Sequence, residues 1–292
     1  MRILIFGGNG MLGHKLVQVL SEKLEVWTTI RGEFSGVERF GVFDRDRTIE
    51  SVEVTDLERV RRAIETATPD VVINAVGIIK QLPTSNNVVK TLLINSIFPH
   101  QLAGISEEFG FRLICISTDC VFDGRKGNYT EQDDANALDL YGRSKYLGEV
   151  SSANCLTLRT SIIGRELNTN HSLVEWFLSK RAEMVNGFVN AIYSGFPTIV
   201  FADIITDLIL HHSDLNGLFH VSSEQISKFR LLTLINEYFK ANSKIEPFAD
   251  FTIDRRLDST RFRTATGFKP QTWEKMIERM AADATQYDKW RQ

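Results

Sequence analysis

Tyr141 and Lys145 stand four residues apart in "DLYGRSKYLGE" (139–149), and on a helix that spacing aims both side chains at one spot. A free phenol titrates near pKa 10 and exchanges protons poorly at neutral pH unless something stabilises its phenolate. A nearby ammonium does this, and a depression of about 3 units corresponds to roughly 4 kcal/mol of differential stabilisation. An isolated YxxxK is usually only a helix surface, so the pair needs company to carry chemistry. "ICISTDCVFDG" (114–124) provides it: Ser117 and Thr118 close an apolar run that reads as a strand, and sites of open α/β sheets lie beyond strand C-terminal ends. The Thr118 hydroxyl could donate to a substrate oxygen beside the phenol, so that the two hold a carbonyl oxygen while hydride reaches its carbon.

A third element stands at the start of the chain. "FGGNGMLGHKL" places Gly7, Gly10 and Gly13 directly after the first apolar run and at the start of an amphipathic segment. Glycines there allow a backbone turn at positive φ, close approach of a pyrophosphate to N–H groups and tight strand–helix packing, and the helix N-terminus attracts the anion. The GxxGxxG spacing resembles that of the extended short-chain dehydrogenase/reductases. The second strand ends at "TTIRGE" without a carboxylate for a ribose 2′-hydroxyl; Arg31 stands there instead. A guanidinium suits a 2′-phosphate, so NADP (as NADPH) is the expected cofactor, with NAD the alternative. A solvated loop arginine is the rival reading of Arg31.

These groups must be positioned by regular elements. "RILIFG" (2–7), "EVWTTI" (25–30), "DVVINAVG" (70–77), "FRLICIS" (111–117) and "CLTLRTS" (155–161) read as strands. Helical periodicity runs through 11–23, 55–67, 88–110 and 141–152 between them. Strand and helix in alternation imply an α/β fold, a Rossmann-like doubly wound parallel sheet. Beyond residue 161 the pattern loosens into helical stretches near 171–184, 203–212, 228–240 and 272–287. The expected organisation is therefore a dinucleotide domain over 1–161 and a smaller C-terminal substrate-binding cap over 162–292, part of 196–215 returning to the first domain.

Net charge is −3 over 292 residues, which gives no basic field for nucleic acid or anionic lipid. No apolar stretch approaches the roughly 20 residues of a membrane span, and "MRILIF" is too short for a signal-peptide core. A cytoplasmic protein is expected. Cys115, Cys120 and Cys155 have neither disulfide-framework nor metal-like spacing. His211 and His212 are adjacent on a helical pattern and cannot both face one ligand. Asp119, Asp123 and "EQDD" (131–134) read as a solvated acidic turn rather than a metal loop, so no metal is expected. Met184, Phe188 and Tyr193 read as core rather than substrate contacts.

At this point a family resemblance covers nearly the whole chain. "STDCVFDG" resembles the STDYVFDG segment of the dTDP-4-dehydrorhamnose reductase family, and "YGRSKYLGE" its YGxTKxxGE helix. "LRTSIIG" (158–164), "GFPTIVFADI" (195–204) and "LDSTRF" (257–262), with Trp273 following, also have counterparts there. The resemblance implies Thr118, Tyr141 and Lys145 as catalytic trio, and NADPH reduction of the 4-keto group of a nucleoside-diphosphate 6-deoxyhexose. It places Gly7, Gly10, Met11, Leu12, Gly13 and Arg31 on the cofactor, with Glu53 and Val54 of "VEVTD" beside the adenine. "NAVG" (Asn74, Ala75, Val76, Gly77) would run under the nicotinamide ribose, near Ser117, Tyr141 and Lys145. Lys80, Asp119, Cys120, Val121, Phe122, Ile162 and Arg261 are the implied substrate contacts. The implied partner is a nucleoside-diphosphate sugar, with no nucleic acid or membrane, and a homodimer is left open.

The sequence departs from the family pattern where the sugar would lie. Cys120 replaces a Tyr, "GIIKQLP" (77–83) differs from the usual loop, and Ile162 and Ile163 replace bulkier aromatics. The 4,6-dehydratases on this fold carry a glutamate where Cys120 stands. An ordinary thiol is mostly protonated at neutral pH, and the neighbouring sequence supplies no clear cation, so reduction is expected and dehydration is not. The fold also resembles the regulatory subunit of methionine adenosyltransferase, which leaves a non-catalytic NADP-binding subunit as a rival class, and an epimerase or dehydratase on the same scaffold as another.

Overall fold

In chain order the regular elements of the first half are β1 (Arg2–Phe6), α1 (Gly13–Leu20), β2 (Glu25–Thr29), β3 (Thr48–Ile49), α2 (Leu57–Ala67), β4 (Val71–Asn74), α3 (Val88–Leu92), α4 (Phe98–Phe109), β5 (Arg112–Thr118), α5 (Leu140–Leu147) and β6 (Cys155–Thr160). The second half adds β7 (Ile162–Ile163), α6 (Leu173–Leu178), β8 (Met184–Tyr193), β9 (Phe196–Pro197), α7 (Thr198–His211), β10 (Gly217–His220), β11 (Ile226–Ser227), α8 (Lys228–Tyr238), β12 (Lys244–Asp254), α9 (Thr260–Thr266) and α10 (Trp273–Ala281). This computed structural model describes residues 1–81 and 83–291. They divide into two units, the first of 1–117, 139–158 and 202–218, the second of 118–138, 159–201 and 219–292.

Seven strands form the central sheet in the order β10-β6-β5-β4-β1-β2-β3. β1 pairs in parallel with β2 on one side and β4 on the other, and the parallel pairing continues to β3 and β5. The strand order therefore reverses between β1 and β4, the switch point at which ligands of such sheets bind. Strands covered on both faces must be apolar throughout: Ile3, Leu4, Ile5 and Phe6 of β1 and Val72 and Ile73 of β4 have no exposed surface. α2 buries Val60, Ala63, Ile64 and Ala67, one helical stripe, and begins where the Asp56 carboxylate accepts from Arg59 N. The Arg112 guanidinium donates to the carbonyls of Leu208, His212 and Leu215, which satisfies acceptors at the end of α7 and ties 202–218 to the first unit.

The helix expected over 88–110 is interrupted by a π-helical turn, Leu93–Ile97. Pro99, in the first turn of α4, has no N–H for the Asn95 carbonyl, so the α-helical bond at that point is absent and the turn widens.

The second unit departs further from expectation. Strands β8 and β12 were not anticipated: they pair in parallel from Met184↔Lys244 to Ile192↔Asp254, with a register shift between Phe248 and Thr252, and β11 pairs antiparallel to β8. The helix expected to reach residue 184 ends at Leu178, and the one expected to reach 287 ends at Ala281. α8 packs on β8 and α10 on α8, burying Leu231, Leu234 and Ile235 with Trp273, Met276 and Ile277. The excursion 118–138 is bonded to the segment after β12: Asp254 N donates to Gly124 O, Tyr129 N to Arg256 O and Asp258 N to Tyr129 O. Gly124 has φ +83°, and a Cβ there would collide with Ile253.

No helix of the described residues is long and apolar enough to cross a membrane. Among the same residues no group of three His, Cys, Asp or Glu side chains could hold a metal ion.

Candidate functional site

The glycine loop closes on itself before α1 begins. Gly7 adopts φ +86°, Gly10 N donates to Gly7 O at 3.1 Å, and His14 N donates to Gly10 O at 3.1 Å. A Cβ on Gly13 would strike the Gly7 carbonyl, and one on Gly7 would lie 2.9 Å from Val76 Cγ2. α1 has neither a side-chain cap nor an acidic residue in its first turn, so no side chain neutralises the positive end of the helix and it still attracts an anion. A close-approach cradle and an unneutralised helix start fit a dinucleotide pyrophosphate. Two residues escaped the sequence reading. A Cβ on Gly8 would collide with Thr28 Oγ1, and buried His14 holds the loop through Nδ1, 2.8 Å from Gly10 O.

Leu12 is buried and Met11 half-buried beside this loop. Across the switch point, Ala75 N donates to Phe6 O at 3.1 Å and Asn74 Oδ1 accepts from Val76 N at 3.1 Å. Asn95 then grips the segment beyond Gly77, accepting from Ile78 N at 2.8 Å and donating to Ile78 O at 3.0 Å. Arg31 is exposed two residues beyond β2, whose Thr29 is in register with Phe6 at the end of β1. Glu53 is half-buried and Val54 buried in the turn before α2.

α5 carries the Tyr141/Lys145 pair. Its N-cap, Asp139, accepts from Gly142 N at 2.9 Å and from Lys80 Nζ at 2.8 Å. The same Lys80 ammonium lies 5.5 Å from the Tyr141 ring centroid. Lys145 Nζ donates to Ile116 O on β5 at 2.8 Å. Burial lowers the Lys145 pKa, opposed by the Glu149 carboxylate. The Cys115 thiol is itself pushed up to about 12, mainly by burial, so it stays neutral. Glu149 accepts from Ser117 Oγ at 2.6 Å. The helix is seated on the π-helical turn: Asn95 Nδ2 donates to Ser144 Oγ at 3.1 Å, Ser96 Oγ donates to Ser144 O at 2.8 Å, and a Cβ on Gly148 would collide with Asn95 O. Nothing in the local pattern marked Asn95, because its partner Ser144 is 49 residues away.

In the second unit, Thr118 Oγ1 donates to Asp119 Oδ1 at 3.1 Å and accepts from Cys120 N at 3.1 Å. Burial raises the Asp119 pKa, opposed by Arg255 and then Lys228. Arg255 donates from Nε to Phe122 O at 2.8 Å, and its Nη1 lies 3.8 Å from Cys120 Sγ. The neighbouring sequence offers Cys120 no cation, and the fold brings one from 135 residues away. Val121 and Phe122, expected at the substrate, have no exposed surface and pack with Tyr129 and Leu257. Phe122 stacks on Tyr129 with centroids 4.1 Å apart, beneath the Arg159 guanidinium at 5.2 Å. Ile162 is half-buried in β7 opposite Phe196. Arg261 is exposed on α9, its guanidinium 4.4 Å from the Phe219 ring centroid.

The acidic run is used internally. Tyr129 Oη donates to Asp123 Oδ1 at 2.8 Å, Asp133 accepts from Thr130 and Lys126, and Glu131 Oε1 accepts from His220 N at 2.8 Å. His220 is buried, and desolvation beside Arg159 lowers its pKa to about 4, so it is neutral at physiological pH.

A mostly parallel sheet of this strand order, with a glycine-cradled helix start at its switch point, defines a Rossmann-like α/β protein. The chain belongs to the family described as RmlD substrate binding domain, whose model matches residues 1–286. It is 26% identical over 307 residues to the dTDP-4-dehydrorhamnose reductase of Aggregatibacter actinomycetemcomitans, covering 97% of this chain and 99% of that one. It is 24% identical over 308 residues to Methionine adenosyltransferase 2 subunit beta of Mus musculus, covering 95% and 89%. Among solved structures, a hypothetical dTDP-4-dehydrorhamnose reductase from Sulfolobus tokodaii superimposes with a TM-score of 0.76 at 28% identity, over 94% of this chain and 98% of that one.

Proposed function

We propose that the protein is an NADPH-dependent reductase of the 4-keto group of a nucleoside-diphosphate 6-deoxyhexose. The observation that carries this reading is the half-buried Lys145, its ammonium held 2.8 Å from Ile116 O one helical turn beyond Tyr141, in a chain of the RmlD family. Tyr141 passes its hydroxyl proton to the substrate oxygen, and Lys145 stabilises the phenolate left behind. Thr118 is assigned the second hydroxyl on that oxygen. When bound, NADPH supplies the hydride to the keto carbon. Gly7, Gly10, Met11, Leu12 and Gly13 would hold its pyrophosphate, Arg31, Glu53 and Val54 its adenosine, and Asn74–Gly77 with Ser117 its nicotinamide riboside. Lys80, Asp119, Cys120, Ile162 and Arg261 are assigned to the sugar nucleotide. Val121 and Phe122 serve it by anchoring the backbone that presents Cys120.

The test is to mix the protein with NADPH and a panel of 4-keto nucleotide sugars and follow cofactor absorbance. Oxidation that depends on one of them supports the reading. Tight NADPH binding with no oxidation by any would favour a non-catalytic NADP-binding subunit instead. Because Arg255 stands beside Cys120, dehydration needs its own assay: a nucleoside-diphosphate glucose incubated with NAD⁺ or NADP⁺ should give no product lighter by one water.

Arg31→Ala should shrink a preference for NADPH over NADH, since a charge-assisted bond to the 2′-phosphate would be lost. The effect is modest because Arg31 is exposed and solvent-screened. Equal Michaelis constants for the two cofactors, unchanged by the substitution, would refute it.

A homodimer through α3 and α5 is also proposed. Val88, Val89, Leu93, Tyr146 and Leu147 are large apolar side chains with substantial exposure on these adjacent helices and the π turn that follows α3. Val89→Asp should shift a dimer to monomer in sedimentation; a wild-type monomer at every concentration would rule the interface out.

A further inference from the structure

The second unit holds a polar cluster with more hydrogen-bonding capacity than the protein itself uses. Lys228, the first residue of α8, places its ammonium 4.1 Å from the Tyr193 ring centroid and forms no hydrogen bond or ion pair among the described residues. The Tyr193 hydroxyl is buried without a hydrogen-bonding partner, the Ser161 side chain lying near it but outside bonding geometry. Asp119 interacts electrostatically with both Lys228 and Tyr193. Its carboxylate accepts from Thr118 Oγ1, and a carboxylate has about four acceptor positions. Arg255, by contrast, is already committed to Phe122 O and Cys120 Sγ. Desolvation lowers the Lys228 pKa to about 8, which is the cost of holding an ammonium here without a counter-ion in contact.

Resting on the reductase reading above, we propose that Lys228 and Asp119 together determine specificity for a neutral sugar with adjacent hydroxyls, Lys228 donating to one hydroxyl oxygen and Asp119 accepting from the next. The two charges have opposite sign, so the cluster matches a ligand edge that both accepts and donates. A sugar carboxylate aimed at Lys228 would also meet the Asp119 carboxylate, whereas a diol meets neither conflict. A hydrogen bond to a charged group contributes about 1.5–3 kcal/mol, or roughly 10- to 150-fold in affinity.

The test measures binding by calorimetry for UDP, UDP-glucose, UDP-glucuronate and the corresponding dTDP ligands, and separately KM and kcat on whichever 4-keto sugar nucleotide the wild type reduces. Lys228→Met should weaken nucleoside-diphosphate glucose by about 10-fold or more while the nucleoside diphosphate alone binds as before, and should raise KM far more than it lowers kcat. Lys228→Gln, which keeps a donor, should recover part of the loss and serves if the methionine variant does not fold. Equal loss for nucleotide and nucleotide sugar would overturn the assignment. So would tighter wild-type binding of the glucuronate than of the glucose ligand, or failure of the wild type to bind any nucleotide sugar. A sugar-selective loss in a protein that reduces no 4-keto sugar would keep this subsite and refute the reductase reading instead.

Discussion

Tyr141→Phe is expected to lower turnover by about 100-fold or more, the scale of losing a positioned general acid, while NADPH affinity stays nearly unchanged. The substitution removes one oxygen and leaves the helix intact, since the Asp139 cap and the Ser144 contacts to Asn95 and Ser96 do not involve the phenol. Lys145 keeps its bond to Ile116 O but loses the phenolate it would stabilise. Because that interaction develops as the proton leaves, kcat and kcat/KM should fall together. Fluorescence titration with NADPH alongside steady-state kinetics separates the two effects. Turnover near the wild-type value would remove Tyr141 from the chemistry, and an equal collapse of NADPH binding would make it a cofactor contact.

The largest stability effect is expected at Arg165. Its Nε lies 2.6 Å from Glu175 Oε1, and both side chains are nearly inaccessible, 8% and 2% exposed. Glu175 also accepts from Glu166 N at 3.0 Å. The outer contact, from Nη2 to Asp288, involves a carboxylate that is 71% exposed and contributes little. Arg165→Met would leave the Glu175 charge buried without its partner and should cost about 3–5 kcal/mol. Removing both charges, as Arg165→Met with Glu175→Leu, should recover much of that loss, because the penalty comes from the orphaned charge rather than from the pair. Urea titrations of the single and double variants measure it. A single-variant loss below about 1 kcal/mol would show that water reaches Glu175 and screens it.

Much of the first unit was legible because the relevant physics is local. Parallel strands buried on both faces leave continuous apolar runs such as "RILIF", and α2 leaves a stripe at helical spacing. The glycine loop could be read because only glycine satisfies a positive φ at Gly7 and the close approach at Gly13. The π turn was not legible: Pro99 marked a weak point in the helix, but widening is one of several responses to a missing N–H. β8 and β12 were missed for a related reason. β8 alternates buried and exposed positions, but its outward side includes Met184 and Phe188, so the polar half of the usual alternation is blurred.

By itself the sequence determined the alternating α/β pattern, the glycine turn at the end of β1 and the i, i+4 placement of Tyr141 and Lys145. Each of these depends on residues within a turn or two of one another. Only the tertiary structure decided what surrounds those groups. It brought Asn95 to Ser144 across 49 residues and Arg255 to Cys120 across 135, and it set Lys228 over Tyr193 within the influence of Asp119. The physical reason is that periodicity records which face of an element is buried, whereas partners of buried polar groups are chosen when distant elements pack. A cysteine that reads as an isolated thiol and a lysine that reads as a helix start acquire their electrostatic surroundings only at that step.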